Sequence, residues 1–235
     1  MTEPSLVELD YQHTAIGELI LRRRRSPSLD GGFVYEVKLN GEFLMSSVAT
    51  VSEEALAELA LAEFGESSCD VLIGGLGLGY TAAAALRHFQ VRRVDVVEFL
   101  QPVIDWHRNR LVPVAEQLLG DSRCRFIHDD FFDYVRDATQ DDARRYGIIL
   151  LDIDHSPESW LHPAHKRCYG PEGLRALAEK LNPNGVFALW SAAAPDERFL
   201  TRMQDAFAKV CMYPVDYFHP TLHSHEQNTV IVARR

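Results

Sequence analysis

A short apolar run, Val71 to Ile73, leads without a break into Gly74, Gly75, Gly77 and Gly79, and then into an alanine-rich segment from Thr81. A stretch written this way has few options other than strand, tight turn and helix. The glycines permit backbone conformations closed to other residues and let a ligand approach the main chain. The helix N-terminus behind them presents unpaired N–H groups to an anionic or nucleotide-like ligand. The next apolar run, Val94 to Val97, ends in Glu98. A carboxylate about 20 residues beyond such a loop accepts hydrogen bonds from both hydroxyls of a ribose. Together these features point to a cofactor-binding transferase or oxidoreductase.

The strand and helix rhythm continues. Strands are expected at 70–74, 93–98, 124–128, 147–152 and 185–190, and helices at 79–88, 101–118, 130–137, 171–181 and 196–209. The strands are rich in Val, Ile, Leu and Phe, as parallel strands covered on both faces must be. Two extended runs, Cys211 to Phe218 and Asn228 to Ala233, read as an antiparallel hairpin at the sheet edge. The result is an α/β, Rossmann-like fold with a mostly parallel seven-stranded sheet and a C-terminal antiparallel hairpin. Residues 10 to 47 look extended, with strands at Gly17 to Leu21 and Phe33 to Leu39, and Asn40-Gly41 as a two-residue hairpin turn. Ser52 is expected to cap a helix reaching about Phe64. The chain therefore divides into a small N-terminal β region, 1–50, and a nucleoside-binding transferase domain, 51–235.

Composition narrows the partners. The formal net charge of -10 over 235 residues disfavours nucleic acid. Arg22 to Arg25 is the exception, readable as a solvated strand end or as a local anion patch. No apolar run reaches the length of a transmembrane helix, and the opening MTEPSLVELD has no signal-peptide core. The four cysteines, Cys69, Cys124, Cys168 and Cys211, form no CxxC pair, which suits free thiols in a reducing, cytoplasmic setting.

Ligands in open α/β sheets bind at the carboxyl ends of strands. Those ends supply Gly75, Gly77 and Gly79; then Glu98; then His128, Asp129 and Asp130, where a carboxylate can hold an adenine amino group or simply cap the following helix. The densest set is LLDIDHSPESW, with Asp152, Asp154, His155 and Ser156. Asp152 can orient or deprotonate a nucleophile, and Asp154 and His155 can do the same from the loop. HSPESWLHPAH has no metal-ligand spacing, so no metal is expected. Trp106 and Trp160 fit helix-face packing better than a ligand ring, and Trp190 can line the cleft. His219, His223 and His225 lie on a loop that either covers a substrate mouth or is an ordinary polar hairpin.

These segments resemble the spermidine synthase group within the class I S-adenosylmethionine-dependent methyltransferase fold, over roughly residues 30 to 233. The carriers are the loop Gly74–Gly79, Glu98 and Asp130, the strand YGIILLD ending in Asp152, and LNPNGVFALW before another core strand. The resemblance implies a homodimer, a small N-terminal β-domain, and aminopropyl transfer from decarboxylated S-adenosylmethionine to a polyamine. Three departures stand out. The family loop resembles GGGDGG, whose aspartate binds the aminopropyl amine, and Gly77 stands there. The helix resembles DEFxYHE, and Leu56 and Ala57 stand for its tyrosine and histidine. The catalytic loop resembles DSSDP, and His155 stands at its second aspartate. The leading expectation is therefore methyl transfer from S-adenosylmethionine to a small nucleophile. The alternatives are aminopropyl transfer with a rebuilt pocket, its acceptor an amine, for which Asp152, Asp154, Glu53 and the net negative charge speak, and a non-catalytic nucleoside-binding protein.

Overall fold

Alternating apolar residues and a left-handed turn build the N-terminal sheet. The computed structural model describes residues 5–26, 31–136, 144–220 and 222–235. In it β1 (Leu6–Thr14), β2 (Gly17–Arg25), β3 (Phe33–Leu39) and β4 (Glu42–Ser46) pair in sequence order, all antiparallel. Asn40 and Gly41 both take positive φ, 53° and 80°, so the β3–β4 turn has the twist that tight hairpins require. The sheet has a strand more than the sequence pattern suggests, because Leu6 to Thr14 pairs along the whole of β2. The arginine run finds partners within this sheet. Arg22 and Arg24 reach buried Glu36 at 2.7 and 2.6 Å, while Arg23 and Arg25 lie over the Phe33 ring.

The second sheet holds β5 (Cys69–Gly74), β6 (Val91–Glu98), β7 (Cys124–His128), β8 (Tyr146–Leu151), β9 (Leu181–Ser191), β10 (Lys209–His219) and β11 (Ser224–Arg234). Their order is β10-β11-β9-β8-β5-β6-β7, with β5 to β9 parallel and the β10–β11 hairpin antiparallel. The order turns back between β5 and β8, which is where open α/β sheets form their ligand crevice. Successive strand residues feed opposite cores. Val71, Ile73, Ile148 and Leu150 pack into one, with α1 (Val51–Phe64) and α2 (Tyr80–Leu86). Leu72, Ile149, Leu151 and Phe187 pack into the other.

The remaining helices are α3 (Gln101–Arg108), α4 (Ala115–Gly120), α5 (Phe131–Arg136), α6 (Pro171–Lys180) and α7 (Glu197–Ala206). The single helix expected at 101–118 is two, α3 and α4. Arg110 takes φ 56°, and Pro113 disfavours helical geometry at the residue before it. Residue 137, the expected end of α5, lies outside the described residues. Ser52 is not the cap of α1, whose N-cap is Thr50; its hydroxyl is used inside the first turn instead. Asp196 caps α7 with a 2.6 Å bond from the Phe199 N–H. The four cysteines are free. Among the described residues no helix is long and apolar enough to cross a membrane. The two sheets meet where Trp106 of α3 donates its indole N–H to Asp10 of β1 at 2.6 Å.

Phe187 is fully buried and stacks on Phe207 with ring centroids 5.5 Å apart. Phe187→Ala is expected to lower unfolding free energy by roughly 3–5 kcal/mol, measured by urea denaturation with the denaturant slope unchanged.

Candidate active site

The glycine loop is shaped by what touches it. Gly75 takes φ +92°, and a Cβ there would lie 2.1 Å from the Asp152 carbonyl oxygen. That position accepts only glycine, because the loop after β5 folds directly against the end of β8. Gly77 takes φ +49°, and the space a side chain would fill holds the Met45 sulfur, 2.9 Å from the ideal Cβ. Glu98 secures the loop from below: its carboxylate accepts the Leu76 N–H at 2.9 Å and the Leu100 N–H at 2.7 Å. Burial raises the Glu98 pKa, and these backbone donors oppose the rise. His107 of α3 is bonded to the Gly77 carbonyl at 3.0 Å. Burial lowers its pKa to about 4, so near neutral pH its Nε2–H donates, while Nδ1 has no partner.

Two cavities meet over this loop. One, of about 220 Å³, is lined by Glu98, Leu100, Trp106, Asp130, Phe131 and His165, among others. It has apolar walls with carboxylates at Glu98 and Asp130, which suits a nucleoside. The glycine cradle, closed to any Cβ at Gly75, supports that fit. The other, of about 280 Å³, is lined by Glu53, Thr81, Asp152, Trp190, Tyr217 and Glu226, among others. Asp152, Gly77 and Met45 line both.

Asp152 and Glu53 dominate the second cavity. Thr81 of α2 donates its hydroxyl to Asp152 Oδ2 at 2.7 Å. Ser52 donates to Glu53 at 2.9 Å and accepts from the Trp190 indole at 2.9 Å, so α1 and β9 hold Glu53 in place. Burial raises the pKa of both carboxyl groups, and repulsion from Asp152 raises Glu53 further.

The other expected residues divide. Asp154 is buried and accepts from Leu161 N–H and Tyr169 O–H at 2.7 and 2.8 Å, with the His165 ring at 2.8 Å. It therefore braces the loop after β8. His155 lines the second cavity. Asp130 accepts from the Phe132 and Asp133 N–H groups, so it caps α5 while facing the nucleoside-shaped cavity. Asp129 accepts the Asp130 N–H and lines neither cavity. His128 is exposed, and the Ser156 hydroxyl is taken up within its own loop. Gly79 lines the second cavity. His219 lines it too, while His223 and His225 do not. Trp160 donates to the Pro157 carbonyl and lines neither cavity. Among the described residues no group of three or more His, Cys, Asp or Glu could hold a metal ion.

Leu56 and Ala57 are fully buried in the core and do not face the site. Ser52 and Glu53, one turn earlier, do. His107, Met45 and Tyr217 had no local sequence signal, since each reaches the site from a separate element.

The family model for the spermine/spermidine synthase domain matches residues 50–233. A polyamine aminopropyltransferase of Pyrobaculum islandicum is 27% identical over 117 residues, which cover 50% of this chain and 39% of that protein. Polyamine aminopropyltransferase 1 of Streptomyces coelicolor is 30% identical over 177 residues, 72% of this chain and 30% of that protein. The chain thus spans well under half the length of these relatives. Among solved structures, a spermidine synthase in complex with the transition state analogue AdoDATO superposes with a TM-score of 0.75 at 20% identity, covering 97% of this chain and 73% of that one. Human methyltransferase-like protein 13 in complex with SAH gives 0.54 at 22% identity, covering 79% of each chain. Both share the fold.

The raised carboxyls carry a pH signature. The folded chain keeps a proton that the unfolded chain, with Glu53 near its ordinary 4.5, has already released; in the fold Glu53 loses it only near 8. The folded state therefore binds more protons in this window, and stability falls as pH rises from about 4.5 to about 8. Glu53→Gln is expected to flatten that slope in unfolding free energy measured across pH 4.5 to 8.5; an unchanged slope would place its source elsewhere.

Proposed function

The chain belongs to the spermine/spermidine synthase domain family, and on that premise we propose that it transfers an aminopropyl group from decarboxylated S-adenosylmethionine to the amine of a small cationic acceptor such as a polyamine. The sign of the second cavity carries this reading. Glu53, Asp152 and Glu226 are among its lining residues, and among the described residues no lysine or arginine lines it. Trp190, Tyr80 and Tyr217 supply aromatic surface. Carboxylates offset the desolvation of an ammonium, and aromatic rings favour both the cation and its methylene stem. The relatives named as polyamine aminopropyltransferases support the same class.

Catalysis here is mainly positioning. A sulfonium nucleoside supplies an already activated carbon, so the residues need only align the acceptor and take its proton. Asp152 lies at the junction of the two cavities, with Thr81 fixing the direction of its carboxylate. Its raised pKa suits it to accept a proton near neutral pH. Asp154 keeps the following loop in place, and Glu98 and His107 keep the glycine loop ready for the nucleoside.

Methyl transfer from intact S-adenosylmethionine is the second reading. Gly77 favours it, since this position has no side-chain carboxylate to select an aminopropyl amine and Met45 fills the space. Calorimetric titration with both forms of the cofactor separates the two. Tighter binding of the decarboxylated form is expected, and tighter binding of the intact form would transfer the conclusion to methyl transfer. Asp152→Asn is expected to cut methylthioadenosine formation by roughly 10²–10⁴-fold while methylthioadenosine still binds. Turnover that survives the substitution would remove Asp152 from the chemistry.

A further inference from the structure

Glu53 is a half-buried acid on α1, apart from the strand ends that supply the other candidates. It sits in the first turn of α1, held by Ser52, which Trp190 of β9 holds in turn. Asp152 approaches from the end of β8, held by Thr81 of α2. The Thr81 hydroxyl also lies 3.4 Å from the Glu53 carbonyl oxygen, so α1, α2 and β8 converge on this spot. The other ionisable groups whose charges act on Glu53, or feel it, are Glu54 on its own helix, Tyr80 at the start of α2 and Tyr217 on β10. Glu226, His155 and His219 line the same cavity. Glu54 is itself paired with Arg87. Among the described residues no lysine or arginine lines the chamber to balance the two carboxylates.

We infer that Glu53 and Asp152 form a two-carboxylate receptor for one primary ammonium group, which enters in exchange for a proton. Two carboxylates facing each other without a cation do not both ionise readily, so the empty pair retains a proton. An ammonium carries one positive charge and three N–H donors, which suits two fixed acceptors. Binding then balances simply: the ammonium enters with its charge, the pair becomes doubly ionised, and one proton passes to solvent.

This inference rests on the group-transfer reading, and its test is separate from turnover. Titrations at pH 7 in buffers of differing ionisation enthalpy count the protons released. The probes are decarboxylated S-adenosylmethionine, putrescine, and methylthioadenosine as the nucleoside without an ammonium. Binding of an ammonium-bearing probe is expected to release a substantial fraction of one proton, up to about one, and methylthioadenosine none. Release with the decarboxylated cofactor assigns the receptor to the donor's amine, and release with putrescine to the acceptor's. Glu53→Gln is expected to abolish the release and weaken that probe about tenfold or more, with methylthioadenosine affinity unchanged as the check on folding. Glu53→Asp is expected to restore part of the release. The inference is overturned if neither ammonium probe binds, if binding releases no proton, or if Glu53→Gln leaves release and affinity intact. Intact methylthioadenosine production alongside any of these results would defeat the inference alone; absence of production with every amine would defeat the group-transfer reading.

Discussion

The close packing of β5 against β8 at their carboxyl ends is the constraint on which the rest depends. The Asp152 N–H donates to the Gly74 carbonyl at 2.9 Å, and the Asp152 carbonyl lies where a side chain on Gly75 would be. This junction occurs where the strand order reverses, so the chain leaves β5 and β8 toward opposite sides and a crevice opens between the departing loops. The glycines are thus a requirement of backbone meeting backbone before they are a requirement of any ligand. The same contact places the Asp152 side chain between the two cavities.

Around that junction the buried polar groups have two kinds of work. Glu98, His107 and Asp154 spend their hydrogen bonds on the backbone or on neighbouring side chains, and they hold loops. Glu53 and Asp152 accept one side-chain hydroxyl each and face a chamber lined by other acids. Groups of the first kind direct their bonds at loops. Groups of the second kind share a chamber with no basic side chain among the described lining residues, and the proposed ammonium receptor rests on that imbalance. The distinction depends on where each carboxylate's donors come from, which residue type alone does not reveal.

Much of the fold was legible because its signals are local. Val71 to Gly79 announces strand and turn, Asn40-Gly41 announces a hairpin, and each apolar run of the large sheet is contiguous in the chain. The errors arose where a local pattern had two outcomes. The stretch 101–118 keeps a helical pattern across Pro113, yet the chain breaks there. Ser52 has the chemistry of a cap but serves Glu53 and Trp190 instead.

The sequence by itself determined the strand–glycine–helix unit, the parallel character of the main sheet, and the strand ends from which Glu98, Asp130 and Asp152 project, because periodicity and turn chemistry act between near neighbours. Only the tertiary structure decided which acids share a chamber. Glu53 shares a cavity with Asp152 because α1 packs beside α2 and β9, Met45 fills the space beside Gly77 because the N-terminal sheet lies over the loop, and Asp154 turns toward Tyr169 and His165. Those meetings depend on how buried faces stack across long separations in the chain, and no local pattern encodes them.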